Sequence, residues 1–239
     1  MKKIIKIIYN KLPKNVQDFL YKKYYLPFLN RKVGLSYSQQ GEDVVLAKSG
    51  LVDLNKKGTF IDIGAHHPKL ASNTYLFYKK GWSGINIDPI PKMIEDFKNR
   101  KRDLNLNIGI SDKEGYMNYY IYEIGLYNTL NKNNVENLKN EKKIEPIKTI
   151  PIKTKRLEHV LNEYLNNREI DFMSIDVEGN ELSVLKSNDW KKYKPKIILI
   201  EMLNTNIEDL EKNEIHQYLT RLDYYLFAKT FYTCFYKLK

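Results

Sequence analysis

The chain has 239 residues, of which 42% are hydrophobic and 13% aromatic, so it can bury a sizeable core and is not globally disordered. Its formal charge is +11, but nine basic residues against one acidic residue place +8 of that charge within residues 1–35. An enzyme of nucleic acids would be expected to line its binding face with basic residues. The nearly neutral remainder therefore argues against nucleic acid as a substrate or partner.

The first 35 residues are predicted to form a basic helical extension, followed by one α/β domain over residues 36–239. A lysine interrupts the apolar stretch of the first 12 residues and no small-residue cleavage site follows, so they do not match a signal peptide. Ile4, Ile8 and Leu12 share one helical face, which is typical of a helix in a membrane interface. We expect either peripheral attachment to the inner membrane surface or a helix that packs on its own domain or a partner subunit.

The first half of the domain is predicted to alternate between helices and strands, because short apolar runs are separated by amphipathic segments. In chain order we expect helix 40–48, strand 59–63, helix 72–80, strand 84–88, helix 91–100, strand 104–110 and an antiparallel strand at 115–123. The polar segment 125–143 that follows is long enough to be a mobile loop or lid.

The second half continues the alternation and ends in a hairpin. We expect strand 147–154, helix 156–165, strand 171–175, helix 181–187, strand 196–202, helix 207–221 and two adjacent strands at 224–228 and 230–237. This order implies a parallel sheet with an antiparallel edge. The one cysteine, Cys234, cannot form an intrachain disulfide, and no apolar stretch approaches the ~20 residues that span a bilayer, so we expect a cytoplasmic protein.

A glycine turn between two strands is the strongest indication of a ligand site. Gly64 follows the first strand and lets the backbone approach a ligand closely, and Asp88 ends the second strand, where nucleotide-binding folds place a carboxylate on ribose. The glycine pattern that binds a pyrophosphate is absent. The turn therefore favours a nucleoside without phosphates, and S-adenosylmethionine is the common one.

Three acidic residues follow strands that we expect to be parallel: Asp62, Asp88 and Asp176. Because the carboxyl ends of such strands meet at one edge of the sheet, these carboxylates should converge. Asp176 also begins the sequence DVEGNE with Glu178, which suggests a general base, a set of metal ligands or a clamp on sugar hydroxyls. The alternative is that these acids only complement the positive end of the next helix.

Two further groups are candidates at this edge. His66 and His67 follow Gly64, and histidine suits proton transfer near neutral pH, although it is often structural. Ser111 and Asp112 follow the third strand, where the base of a nucleoside would lie, although SDKEG also suits an ordinary turn.

Five motifs in this chain resemble those of the FkbM-type S-adenosylmethionine-dependent methyltransferases. They lie in the family's order over about residues 36–203 and read YSQQGED at 37–43, FIDIGAHHP at 60–68, SNTYLF at 72–77, GINIDP at 84–89 and SIDVEG at 174–179. The resemblance implies a Rossmann-like class I methyltransferase fold, with a mostly parallel seven-stranded sheet and an antiparallel terminal hairpin.

The resemblance also implies S-adenosylmethionine as methyl donor and O-methylation of a sugar hydroxyl, in a nucleotide sugar or a surface polysaccharide precursor. Carried onto matching positions, it places these residues at the donor: Ser38, Gln39, Gly41, Glu42, Asp43, Asp62, Gly64, Asn73, Asp88, Ser111 and Asp112. His66, Asp176 and Glu178 are the predicted catalytic residues, with Asp176 and Glu178 facing the acceptor.

Several alternatives stay open at the level of sequence. His66 or Asp176 could act as the base, or Mg²⁺ or Mn²⁺ held by carboxylates could activate the hydroxyl instead. The acceptor could be a lipid or a peptide rather than a sugar. From a different class, the protein could be a non-catalytic partner that anchors a glycan assembly complex through its basic extension. No feature of the sequence indicates the oligomeric state.

Overall fold

The computed structural model describes residues 13–20, 23, 35–203 and 205–239. The chain divides into two compact units, Met1–Ser36 and Tyr37–Lys239. In the first unit, helix α1 spans Lys14–Leu20 and begins directly after a proline. The predicted apolar face of Ile4, Ile8 and Leu12 lies outside the described residues. Within the described ranges, no helix has the length and apolar character needed to cross a membrane.

The second unit is built on a seven-stranded sheet, which confirms the predicted fold class. Its strand order is β3-β2-β1-β7-β8-β10-β9, and all neighbours are parallel except β10, which runs antiparallel to both β8 and β9. The strands are β1 (Thr59–Ile63), β2 (Ser83–Ile87), β3 (Leu104–Leu106), β7 (Phe172–Ile175), β8 (Ile197–Glu201), β9 (Tyr224–Lys229) and β10 (Thr233–Leu238).

A second, three-stranded sheet has the order β4-β6-β5, from β4 (Gly109–Ile110), β5 (Gly115–Ile121) and β6 (Lys148–Lys155). The prediction of one strand at 104–110 was wrong, because the chain changes sheets within it. Asn107 donates its side-chain amide to the carbonyl oxygen of Asp88 at 3.0 Å, which ties the break to the end of β2. Beyond it, Gly109 and Ile110 pair with β6.

The helices of this unit are shorter than predicted, and several carry 3₁₀ turns. They are α2 (Glu42–Lys48), α3 (Tyr75–Lys79), α4 (Pro91–Asp96), α5 (Lys132–Asn137), α6 (Leu157–Tyr164), α7 (Glu181–Lys186) and α8 (Glu214–Thr220). The predicted helix 207–221 is in fact a 3₁₀ helix, Ile207–Lys212, followed by α8. Asn213 separates the two, because its side-chain oxygen accepts hydrogen bonds from the backbone of Ile215 and His216.

Segment 125–143, predicted to be a mobile loop or lid, contains short helical elements. It contains a 3₁₀ turn at Gly125–Tyr127, then α5, then a π-helical turn at Leu138–Lys142. The side chain of Asn131 accepts a hydrogen bond from the backbone of Asn133 and so begins α5. Local capping by asparagine therefore gives this polar segment a defined helical structure.

The central strands are buried on both faces, as parallel strands between helices must be. Phe60 of β1 and Phe172 of β7 pack with Phe77 and Trp82 on one face, with ring centroids of Phe77 and Phe172 4.7 Å apart. The isoleucines of β1 and β2 fill the other face. This two-sided burial fixes the register of β1, and with it the position of the turn at Gly64.

Gly64 has no room for a side chain. Its φ is +81°, and a Cβ atom built on it would lie 1.7 Å from the carbonyl oxygen of Asp176. The glycine thus lets the turn after β1 pack directly against the turn after β7. Gly81, between α3 and β2, has a similar φ of +93° but open space around it.

We therefore expect Gly64→Ala to destabilise the protein more than Gly81→Ala. The backbone conformation alone should cost about 1–2 kcal/mol at either position. The steric clash at Gly64 should add about 1–3 kcal/mol. Urea unfolding followed by circular dichroism measures both changes, and equal losses for the two variants would contradict the close contact at Gly64.

Candidate active site

A cavity of about 530 Å³ lies outside the C-terminal ends of β2, β1, β7 and β8, which are consecutive neighbours in the sheet. Most of the residues that line it come from these strand ends and from segment 125–143, which we term the cover segment. The edge position is the usual place for a ligand in an open α/β sheet. Because each strand adds about 4.8 Å, the cavity extends roughly 15 Å along this edge.

Asp88 lines one end of the cavity, directly after β2. Its two carboxylate oxygens accept hydrogen bonds from the backbone amides of His66 at 3.0 Å and Ile90 at 2.8 Å. Burial raises the pKa of this carboxyl to about 6. Each oxygen can accept a further hydrogen bond, so a pair of vicinal hydroxyls on a ligand could bind here.

Beside Asp88 the wall of the cavity is apolar and includes Ile90, Ile108 and Ile110, which suits a flat aromatic base. Ser111 and Asp112, predicted to lie at this base, are not among the cavity-lining residues. Instead, the carboxylate of Asp112 accepts a hydrogen bond from Ser183 of α7 at 2.6 Å, which lowers its pKa, and Ser111 contacts the same hydroxyl. The switch from β3 to β4 directs these two residues toward α7.

Segment 38–43, which leads into α2, holds five of the predicted donor residues. Of these five, only Gln39 lines the cavity. Ser38 and the backbone of Tyr37 donate to the carboxylate of Asp43 at 2.9 and 2.8 Å, and Gly41 has a φ of +90°. The buried Glu42 accepts a hydrogen bond from Thr230 at 2.8 Å. Ser38, Gly41, Glu42 and Asp43 therefore shape the turn that presents Gln39.

Asp62 and Asn73 also lie behind the cavity rather than on its wall. Asp62 is within β1, and its carboxylate accepts a hydrogen bond from the hydroxyl of Thr74 at 2.7 Å. Arg100 donates a hydrogen bond to the same hydroxyl. Burial raises the pKa of Asp62 to about 6. Asn73 donates to the hydroxyl of Ser174 on β7 at 3.0 Å. Both residues support the strands under the site, while Gly64 lines the cavity itself.

Three carboxylates meet at the other end of the cavity. One oxygen from each of Asp176, Glu178 and Glu201 lies within 4.8 Å of the others. Burial and the neighbouring acids raise the pKa of Glu178 to about 9, and the same two causes raise the pKa values of Asp176 and Glu201. Glu201 was not predicted from sequence. It ends β8, so the rule that identified Asp176 at the end of its strand could have found it.

The turn that carries Asp176 and Glu178 is held from two sides. The carboxylate of Glu181 accepts hydrogen bonds from the backbone amides of Val177 and Gly179, both at 3.1 Å. From the cover segment, Thr129 and Asn134 donate to the carbonyl oxygen of Glu178 at 2.8 and 2.7 Å. Glu178 has a φ of +52°, an uncommon backbone conformation that these contacts maintain.

His66 and His67 have different surroundings. His66 is exposed at the edge of the cavity with a φ of +49°, and desolvation lowers its pKa. His67 accepts hydrogen bonds on Nδ1 from the backbone amides of Lys69 and Leu70, so it shapes the loop. Of the two histidines, His66 is the one placed to contact a ligand.

Tyr119 of β5 is a second lining residue that was not singled out from sequence. Burial raises the pKa of its hydroxyl, and the negative charges of Asp88 and Glu178 raise it further. The tyrosine therefore lies between the two ends of the cavity and stays neutral. The alternating strand 115–123 was predicted, but the sheet that turns Tyr119 toward the cavity was not.

Comparisons with known proteins bear on this cavity. The family model described as the methyltransferase FkbM domain matches residues 62–226. A solved structure of methyltransferase FkbM from Methylobacillus flagellatus KT aligns with a TM-score of 0.52 at 16% identity, over 84% of this chain and 48% of that one. This chain thus spans about half the length of that structure.

A second solved structure, a TehB-like SAM-dependent methyltransferase from Corynebacterium glutamicum ATCC 13032 Kitasato, aligns with a TM-score of 0.43 at 9% identity. That alignment spans 91% of this chain and 97% of the other. No curated protein gives a match to the sequence. The family match covers more than half of the chain and includes Gly64, Asp88 and the acids at 176–201. The chain therefore belongs to the methyltransferase FkbM family.

Proposed function

We propose that the protein is an S-adenosylmethionine-dependent O-methyltransferase that acts on a sugar hydroxyl, in a nucleotide sugar or a surface polysaccharide precursor. Membership of the FkbM family supports methyl transfer. The observation that carries the proposal is a single cavity with Asp88 at one end and three carboxylates at the other. The first end suits a nucleoside, and the second suits a hydroxylated acceptor.

The donor end offers groups that would bind the nucleoside part of S-adenosylmethionine. Asp88 would accept hydrogen bonds from the ribose hydroxyls, and the apolar wall at Ile90 and Ile108 would pack on adenine. Gly64 contributes only backbone to the cavity wall, because a Cβ atom there would clash with the carbonyl oxygen of Asp176. When bound, S-adenosylmethionine supplies a methyl group that is activated by its positively charged sulfur.

The protein's remaining tasks are to align the acceptor oxygen and to take its proton. Asp176 lies at the acceptor end beside Glu178, which is placed to hold a sugar hydroxyl, and His66 lies at the cavity edge. Asn128 and Asn137 of the cover segment add amide groups that can bind further hydroxyls. A polar acceptor end of this kind suits a sugar better than a lipid chain.

Replacing Asp88 with alanine should weaken binding of S-adenosylmethionine tenfold or more. A hydrogen bond to a charged group contributes roughly 1.5–3 kcal/mol, and this variant removes a carboxylate that accepts two. Isothermal titration calorimetry measures the change. Asp53→Ala is a matched control, because Asp53 is exposed in the loop before β1, at the opposite end of that strand. Unchanged affinity in Asp88→Ala would remove this residue from the donor site.

Donor affinity should also depend on pH through Asp88. Its pKa is about 6, so the carboxylate is ionised at pH 7.5 and about nine in ten are protonated at pH 5. Since the ionised form is the better acceptor for ribose hydroxyls, affinity should fall roughly tenfold between these values. Titrations at both values with Asp88→Asn, which cannot ionise, should show no such fall. A pH dependence that persists in this variant must come from another group.

Substitutions of the predicted catalytic residues should lower turnover without weakening donor binding. A general base contributes typically 10²–10⁴-fold, so Asp176→Asn should lower turnover by about that factor and leave donor affinity nearly unchanged. His66→Ala tests the alternative base in the same assay. Labelled donor, a panel of nucleotide sugars and mass detection of the product provide the measurement, with lipid and peptide acceptors included.

Two results would contradict the proposal. Wild-type turnover in both variants on a sugar acceptor would show that neither residue removes the proton. Methylation of the lipid or peptide acceptors alone would show that the acceptor is not a sugar, while leaving methyl transfer itself intact.

A further inference from the structure

We propose that Asp176, Glu178 and Glu201 bind one divalent cation, Mg²⁺ or Mn²⁺, at the acceptor end of the cavity. The proposal deepens the function proposed above and rests on it for its catalytic meaning. Binding of the cation can nevertheless be measured without any methyl acceptor.

The geometry of the three carboxylates is close to that of a cation site. One oxygen from each lies within 4.8 Å of the others. Oxygens bound to one Mg²⁺ at about 2.1 Å from the metal lie about 3–4 Å apart. Side-chain rotations that move each oxygen by about 1 Å would therefore bring the three oxygens onto one ion without moving the backbone.

Glu201 supplies an independent indication of a missing partner. Its side chain lines the cavity, the residue is only 7% exposed, and its Oε2 atom has no hydrogen-bond partner among the residues that the structure describes. A buried carboxyl oxygen without a hydrogen-bond partner is costly. A bound cation would satisfy this oxygen and would do so with the charge that the site lacks.

The surrounding charges point the same way. Glu181 packs behind the cluster, but backbone amides at Val177 and Gly179 already satisfy its Oε1 atom. Lys142 of the cover segment lies near Glu178, whereas the charged groups that act most strongly on Glu201 are acidic. The cluster thus joins three carboxyl groups that a bound cation would hold in their ionised form.

The three ligands are also held in place before binding. Glu201 ends a central strand that is buried throughout, and Asp176 follows another. The backbone at Glu178 is fixed by Thr129 and Asn134. Such a preformed set of hard oxygen ligands favours Mg²⁺ or Mn²⁺ over softer metals. Three protein ligands leave coordination positions for water or for an acceptor hydroxyl, whose pKa the metal would lower.

The test is direct binding of Mn²⁺ to the full chain, followed by loss of the electron paramagnetic resonance signal of the free ion, with Mg²⁺ as competitor. We expect one Mn²⁺ per chain. Glu201→Gln and Glu178→Gln should each weaken binding tenfold or more, because loss of even an outer partner of a metal ligand costs about 10–100-fold. Glu141→Gln is the matched control, since Glu141 lines the cavity but is not part of the cluster.

Thermal melting of the same samples provides a second readout. Mn²⁺ should raise the melting temperature of the wild-type protein and not that of Glu201→Gln, because a ligand stabilises only the folded state that binds it. Without metal, Glu201→Gln should melt at or above the wild-type temperature, because glutamine has nearly the same size and removes an acidic group from beside other acids. This comparison also confirms that the variant is folded.

Equal Mn²⁺ affinity in wild type and Glu201→Gln would overturn the proposal and leave a cluster of carboxylates that share protons. Donor binding measured in parallel separates this failure from a failure of the proposed function. Tight Mn²⁺ binding without any S-adenosylmethionine binding would support the cation site and contradict methyl transfer. Donor binding without Mn²⁺ binding would support methyl transfer and contradict the cation site.

Discussion

The site depends on one close backbone contact, between Gly64 after β1 and Asp176 after β7. The amide of Asp176 donates to the carbonyl oxygen of Ile63 at 2.9 Å, and no side chain fits at position 64. On its other side, the amide of Gly64 donates to Ile87 at 2.9 Å, which ties the same turn to β2. Three adjacent strands therefore end at one fixed point. Asp88 and the acids at 176–201 lie on either side of it within one cavity.

Burying several acidic side chains at one edge of the sheet is costly unless each has hydrogen-bond donors or a positive charge beside it. The protein provides such partners to these acids unevenly. Asp62 is satisfied by Thr74 with Arg100 nearby, and Asp88 by two backbone amides. Glu181 likewise accepts from two amides, and these contacts make its role structural. Among the residues that the structure describes, Glu201 has one oxygen with no such partner. This contrast, more than the number of acids, supports the proposed cation site.

Much of the fold was predictable because central parallel strands are short, largely apolar stretches bounded by glycine or acid, as in 59–63 and 171–175. The position of Asp88 followed from the same rule. What failed depended on tertiary contacts: the strand at 104–110 changes sheets where Asn107 bonds to the end of β2, and this moves Ser111 and Asp112 away from the cavity. The cover segment reads as a loop because its helix is polar and capped by asparagine rather than marked by an apolar stripe.

The cover segment and Glu181 both hold the turn at 176–179, but they contact different backbone groups of that turn. Glu181 lies on the same short stretch of chain, and its carboxylate accepts hydrogen bonds from the amides at 177 and 179, so it holds the turn from within. The cover reaches the carbonyl oxygen of Glu178 through Thr129 and Asn134, each contact contributing about 1 kcal/mol. Those contacts place the cover's amides over the acceptor end of the cavity. The cover therefore contributes to the position of Glu178 and, in the proposed function, to the polar surface that an acceptor would meet.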